Sequence, residues 1–171
     1  MNLQSKFENA IINFLSLSKV LDKDLEELLR SDDGSDSWKR NFIRTSIALV
    51  EGYCYCFREF CQVALEAGTV LSNKRLKAIN KENGCSASER IKLTIQSAYE
   101  VFELEQSPDF GGQEWCIAEK AINKRSKLMH PKILQDLEMS DSNWQDYLAG
   151  ITWLIQISSS LIEEVDRKHG E

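Results

Sequence analysis

One short segment of the chain, KRSKLMHP at residues 124–131, holds the residue types needed for acid–base chemistry on a phosphate. An imidazole titrates near neutral pH and can accept or deliver a proton, whereas a guanidinium stays charged and can hold two phosphate oxygens. His130 would therefore take the proton of a ribose 2′-hydroxyl or protonate the leaving oxygen, while Arg125 stabilises charge at phosphorus. One histidine cannot easily do both, so a homodimer that supplies a second copy is expected.

This chemistry requires that the helix stops between Arg125 and His130. Residues five apart on a continuous helix differ in direction by about 140°, so Arg125 and His130 would not face a common point. Pro131 disfavours the α conformation of the residue before it, which would let His130 turn back toward Arg125. The alternative is a purely structural helix end, because cations at a helix C-terminus offset the helix dipole.

The charge distribution favours one local anion-binding patch over broad electrostatic binding. The net charge of −6 argues against non-specific association with nucleic acid or acidic membranes, and no membrane partner is expected. Between residues 120 and 132 the chain nevertheless carries five cations and no acidic residue. Lys124, Lys127 and Lys132 could hold RNA phosphates, or they could form an ordinary solvated face.

The spacing of apolar residues predicts an all-α protein, a bundle of four to five helices in a single domain over residues 1–171. Turn-forming clusters separate the helical segments, and Ser86 with Glu89 forms a capping-box pattern. The predicted helices cover about Leu3–Arg30, Trp38–Ala67, Ser86–Glu105, Gln113 to the stop at Pro131, and Asn143–Lys168. The stretch Leu76–Asn80 is expected to be connecting structure that could include a short helix.

No cofactor or metal is expected from the sequence. The five cysteines lack chelating spacing, and those at positions 54, 56 and 61 fall inside one predicted helix, where they are expected to be buried thiols. The N-terminus lacks the pattern of a secretion signal, and no apolar run of about 18 residues occurs. A soluble, cytoplasmic protein is therefore expected.

The segment also resembles a known family. Arg125-Ser126-Lys127-Leu128-Met129-His130 fits the R-x4-6-H signature of the HEPN superfamily, and the following Pro131-Lys132 resembles an extended form of that signature. The stretch WKRNFIRTSIALVEG, residues 38–52, is similar to an early helix of these proteins, in which an acidic residue often accompanies the motif. Ser126 stands where the family commonly has Asn, Asp or His, and Lys132 stands where a toxin subgroup often has Tyr.

The resemblance implies a HEPN-like helical bundle that dimerises around the motif. It also implies a metal-independent endoribonuclease acting on RNA, in antiphage defence or in a toxin–antitoxin system with an antitoxin protein as partner. Ser126 would support Arg125 and His130. Glu51, the acidic residue of the early helix, would orient one of those two side chains or would be a surface charge. Two other functions remain open: a non-catalytic module that binds a nucleotide, RNA or protein, and a plain helical scaffold.

Overall fold

The structure, a computed structural model, describes residues 3–169, with the side chains of residues 3, 4 and 169 outside that description. Within this part of the chain there are six α-helices, one short 3₁₀ helix and no β-strand, which confirms the predicted all-α class. The α-helices are α1 Leu3–Arg30, α2 Asp36–Glu66, α3 Asn73–Ile79, α4 Ala87–Val101, α5 Gln113–Met129 and α6 Asp141–His169, and the 3₁₀ helix is Leu134–Leu137.

The residues divide into two compact units. The first unit takes the described residues of Met1–Leu17, Glu51–Pro108 and Ile157–Glu171, and the second unit takes Ser18–Val50 and Asp109–Gln156. Helices α1, α2 and α6 contribute residues to both units. The expectation of a single domain stays a prediction. No helix among the described residues is both long enough and apolar enough to cross a membrane.

The first unit is built around aromatic side chains and buried thiols. Phe60 lies with its ring centroid 5.2 Å from that of Phe7 and 6.1 Å from that of Phe102. At the start of α4, the Ser86 hydroxyl accepts the backbone N–H of Glu89 at 3.1 Å, as the capping pattern predicts. The expected buried thiols are confirmed at Cys54, Cys56 and Cys61.

The second unit holds the helix that carries the candidate motif. Trp38 stacks on Phe42 at 5.4 Å between ring centroids, and Trp144 meets Phe42 edge-on at 5.5 Å. Trp115, in α5, packs edge-to-face against Phe110 at 5.2 Å. The Trp115 contact anchors the first turn of α5.

Gly150 lets α6 approach α5 closely inside the second unit. A Cβ added to Gly150 would lie 2.7 Å from backbone atoms of Ala118, which is fully buried. Because the obstacle is backbone and cannot rotate away, the two helices must separate if a side chain is introduced. The absence of a side chain at position 150 therefore sets the position of α5.

We expect Gly150→Ala to lower the free energy of unfolding by about 1–3 kcal/mol, because overpacking outweighs the better helix propensity of alanine. Urea denaturation followed by circular dichroism measures the change. Ala149→Ser, which adds one heavy atom at the exposed neighbouring position, should change it by no more than about 0.5 kcal/mol. Equal stability of Gly150→Ala and wild type would contradict the close approach.

Candidate active site

Helix α5 ends just before the candidate histidine. It runs Gln113–Met129, and His130 follows as its C-cap with φ −133° and ψ 60°, outside the helical region. The His130 backbone N–H still donates to the carbonyl of Ser126 at 3.2 Å, so the last turn is closed. The prediction that Pro131 stops the helix is confirmed. The His130 side chain is exposed.

The two residues at the start of the motif lie closer to the protein interior. Arg125 is half-buried, and the Nε atom of its guanidinium is buried. Ser126 is half-buried, and its hydroxyl donates to the carbonyl of Ile122 one turn earlier, at 3.3 Å. The hydroxyl proton of Ser126 is thereby used inside the helix, which leaves the oxygen as an acceptor. The roles predicted for both residues stay predictions.

Lys124 has a set of partners that its position in the sequence did not suggest. Its side chain is buried, and its ammonium donates to the carbonyls of Asp136 at 3.0 Å and Glu138 at 2.7 Å. Burial, and then the charge of Lys127, lowers the pKa of Lys124. Two of its three donors hold the segment after the helix in place. The contact of Lys124 with RNA phosphate stays a prediction, and the third N–H of its ammonium would make that contact.

The other two predicted phosphate ligands are exposed lysines. Lys127 lies in the last turn of α5, and Lys132 follows Pro131. The backbone around Lys132 is ordered by Asp136, whose carboxylate accepts the N–H of Lys132 at 2.9 Å and that of Ile133 at 3.3 Å. Both ammonium groups therefore extend from fixed backbone into solvent.

Two arginines of α2 complete this region, although their roles were missed at the sequence level. Arg44 donates through Nη2 to the carbonyl of Leu128 at 2.9 Å and through Nη1 to Asn41 Oδ1 at 3.1 Å. Arg40 donates to the carbonyl of Leu137 at 3.1 Å. A cation on a terminal carbonyl satisfies a helix end and opposes its dipole. No local sequence pattern links either arginine to these carbonyls.

An open groove of about 430 Å³ lies beside this helix end. Its wall combines two guanidinium groups with carboxylates and with two leucine side chains of the 3₁₀ helix, of which Leu134 is exposed. The lining residues are Asp36, Arg40, Arg44, Leu134, Leu137 and Glu138.

Glu51 lies in α2, in the part of that helix that belongs to the first unit, and is half-buried. Its suggested role in orienting Arg125 or His130 stays a prediction. Among residues 3–169, no group of three His, Cys, Asp or Glu side chains is arranged to hold a metal ion.

We expect Arg44→Met to loosen the end of α5, because the Leu128 carbonyl loses its charged donor. The free energy of local opening at the His130 amide should fall by about 1 kcal/mol. Hydrogen exchange followed by NMR measures it. Arg40→Met is the matched control: it should leave the His130 amide unchanged and reduce protection at the Glu138 amide. Identical effects of the two variants would contradict separate roles.

The Asp136 carboxylate predicts a pH dependence of residues 132–137. Hydrogen bonding from the backbone of Lys132, more than the weaker bond from Ile133, lowers the pKa of Asp136 below its ordinary value of 3.8. A carboxylate of this kind stabilises the folded segment above its ordinary pKa and loses the effect as pH falls through the lowered value. Amide protection of Lys132, corrected for intrinsic exchange, should therefore persist at neutral pH and fall below about pH 4.

Asp136→Asn is the control for this titration, because the amide keeps an acceptor oxygen but carries no ionisable group. The acid-induced loss of protection at Lys132 should disappear in this variant. A variant that shows the same loss as wild type would assign the pH dependence to another group.

Comparisons of the chain with protein-family models, with curated proteins and with solved structures find no match.

Proposed function

We propose that this protein is a metal-independent endoribonuclease of the HEPN kind, with Arg125 and His130 as its catalytic residues. The observation that supports this most is the exposed His130 at the first non-helical position after α5, between the exposed lysines Lys127 and Lys132. A general base must be reachable by substrate, and cations around it attract the phosphate that it must act on.

The proposed reaction is a transesterification within the RNA strand. The imidazole of His130 removes the proton of a ribose 2′-hydroxyl, and the 2′ oxygen attacks the neighbouring phosphorus. The bond from phosphorus to the 5′ oxygen breaks, and a protonated imidazole supplies the proton that this oxygen needs. The products are a 2′,3′-cyclic phosphate and a 5′-hydroxyl end. Arg125 stabilises the negative charge that develops on the phosphate oxygens.

The second imidazole would come from another copy of the chain, so a homodimer is part of the proposal. Apolar side chains next to the motif support a protein contact there: Met129 is 46% exposed, Ile133 60% and Leu134 72%. Exposed apolar patches of this kind commonly mark protein interfaces. The pairing of two such surfaces would bring two copies of the motif together.

The same exposed residues favour a second candidate, a non-catalytic HEPN-like module that binds a nucleotide, RNA or a protein such as an antitoxin. The two candidates differ in whether RNA is cleaved.

The biological setting of the proposed ribonuclease would be antiphage defence or a toxin–antitoxin system in the cytoplasm.

Cleavage of a single-stranded RNA of mixed sequence, in the presence of a chelator, tests the proposal. We expect wild-type protein to release 2′,3′-cyclic phosphate ends, and His130→Ala to be slower by roughly 10²–10⁴-fold. The melting temperature should hardly change, because His130 is exposed. His169→Ala, which removes the other histidine of the chain, is the matched control and should retain full activity.

Mixing subunits tests the dimer. If both histidines of a dimer are needed, replacing half of the wild-type subunits by His130→Ala at constant total protein should leave about one quarter of the activity, because one dimer in four is then fully wild type. A fall to one half would show that each subunit acts alone. RNA binding without cleavage by the wild type would favour the non-catalytic module.

A further inference from the structure

Arg58, in the part of α2 that belongs to the first unit, is a buried arginine without a carboxylate. Its side chain is 8% exposed, and its guanidinium lies over the ring of Tyr55, 5.9 Å from the ring centroid. Within residues 3–169 this guanidinium forms no hydrogen bond and no ion pair. Buried charges in proteins are normally paired, because removing an ion from water is costly. The nitrogens of Arg58 remain reachable by solvent, so water provides this compensation and an anion could take its place.

The charges around Arg58 do not supply that compensation. Burial lowers the pKa of Arg58, and the nearby Arg90 lowers it further. Cys54 would oppose this as a thiolate, but burial raises the pKa of Cys54 to about 12, so at neutral pH it is an uncharged thiol. Glu59 and then Tyr55 also raise the pKa of Arg58, each by less than Arg90 lowers it.

Arg90 has unused donors of its own. One Nη atom donates to the carbonyl of Glu82 at 3.3 Å, while its Nε atom is buried and meets no acceptor in the described part of the chain. An unsatisfied buried donor destabilises a folded protein. Two neighbouring guanidinium groups thus repel each other and retain free hydrogen-bonding capacity.

A third cation joins them at the surface. Lys81 follows α3 with a left-handed φ of 55°, and its ammonium lies 5.3 Å from the centroid of the Tyr55 ring. Tyr55 is 40% exposed, so this group of residues reaches the protein surface at its ring. We call Tyr55, Arg58, Lys81 and Arg90 the Tyr55 cluster.

We propose that the Tyr55 cluster binds a phosphate group, carried by a nucleotide or by the RNA backbone. Guanidinium groups present donors in a planar fork that matches phosphate oxygens, and an ammonium adds a mobile point charge. A bound phosphate would relieve the repulsion between Arg58 and Arg90. Its oxygens would also accept from the guanidinium of Arg58, which solvent reaches.

This site lies in the first unit, whereas the proposed ribonuclease residues Arg125 and His130 lie in the second. The two proposals therefore rest on different side chains. Loss of RNA cleavage in His130→Ala would leave phosphate binding at Arg58 intact, and the reverse holds as well.

NMR titration of the whole chain at constant ionic strength tests the site, with three separate probes: inorganic phosphate, AMP and a single-stranded oligoribonucleotide with a 5′-hydroxyl end. We expect saturable shifts of the backbone amides of Tyr55, Arg58 and Lys81. Arg58→Met keeps an apolar stem and removes the charge, and it should weaken binding at these amides by roughly tenfold or more. Lys19→Met, which loses an exposed cation of the second unit, should bind as wild type does.

The probes also identify the source of the phosphate. Binding of AMP and inorganic phosphate without RNA indicates a small phosphate ester, and binding of RNA alone indicates the polynucleotide backbone. If Arg58→Met does not fold, Lys81→Met and Arg90→Met measure the same loss. The proposal is overturned if no probe shifts these amides in the wild type, or if the folded variants bind as tightly as the wild type.

Discussion

The last carbonyl groups of α5 must find hydrogen-bond donors, because a helix leaves its final four carbonyls without partners in the helix. In the second unit, one of these carbonyls belongs to Leu128, a residue that is only 2% exposed, so water cannot freely donate a hydrogen bond to it. Arg44 supplies the donor for the Leu128 carbonyl. Lys124 donates to the backbone carbonyls of Asp136 and Glu138, in the segment that follows α5. The candidate site depends on this arrangement, because it fixes the backbone from which the exposed His130 and Lys132 side chains extend.

The same cations explain which features could be predicted from the sequence. Apolar periodicity and local turn chemistry determine where helices lie, so the five long helical segments, the Ser86 cap and the stop before Pro131 were predicted correctly, whereas α3 lies in a stretch expected to be connecting structure. The bonds of Arg44 and Arg40 join residues 84 and 97 positions apart, and the 3₁₀ helix Leu134–Leu137 lies within the segment that such bonds fix. No local pattern contains that information, because it arises only when distant helices pack.

Charge alone does not separate a structural cation from one available to a ligand. Lys124 and Arg58 are 7% and 8% exposed, and burial lowers the pKa of each. They differ in their partners. Two backbone carbonyls compensate the ammonium of Lys124, whereas Arg58 contacts an aromatic ring and is repelled by the charge of Arg90. A cation of the first kind is satisfied in the folded chain, while one of the second kind gains most from an added anion.

A histidine that transfers protons to a large substrate needs both access and a defined position. An imidazole on mobile backbone would spend little time in a reactive orientation, and a buried imidazole could not reach a ribose. His130 combines an exposed side chain with backbone held on both sides: its N–H donates to Ser126, and beyond Pro131 the N–H of Lys132 donates to Asp136. In the proposed reaction, only rotation of the His130 side chain would remain to be ordered when RNA binds, which would keep the entropic cost of a productive complex small.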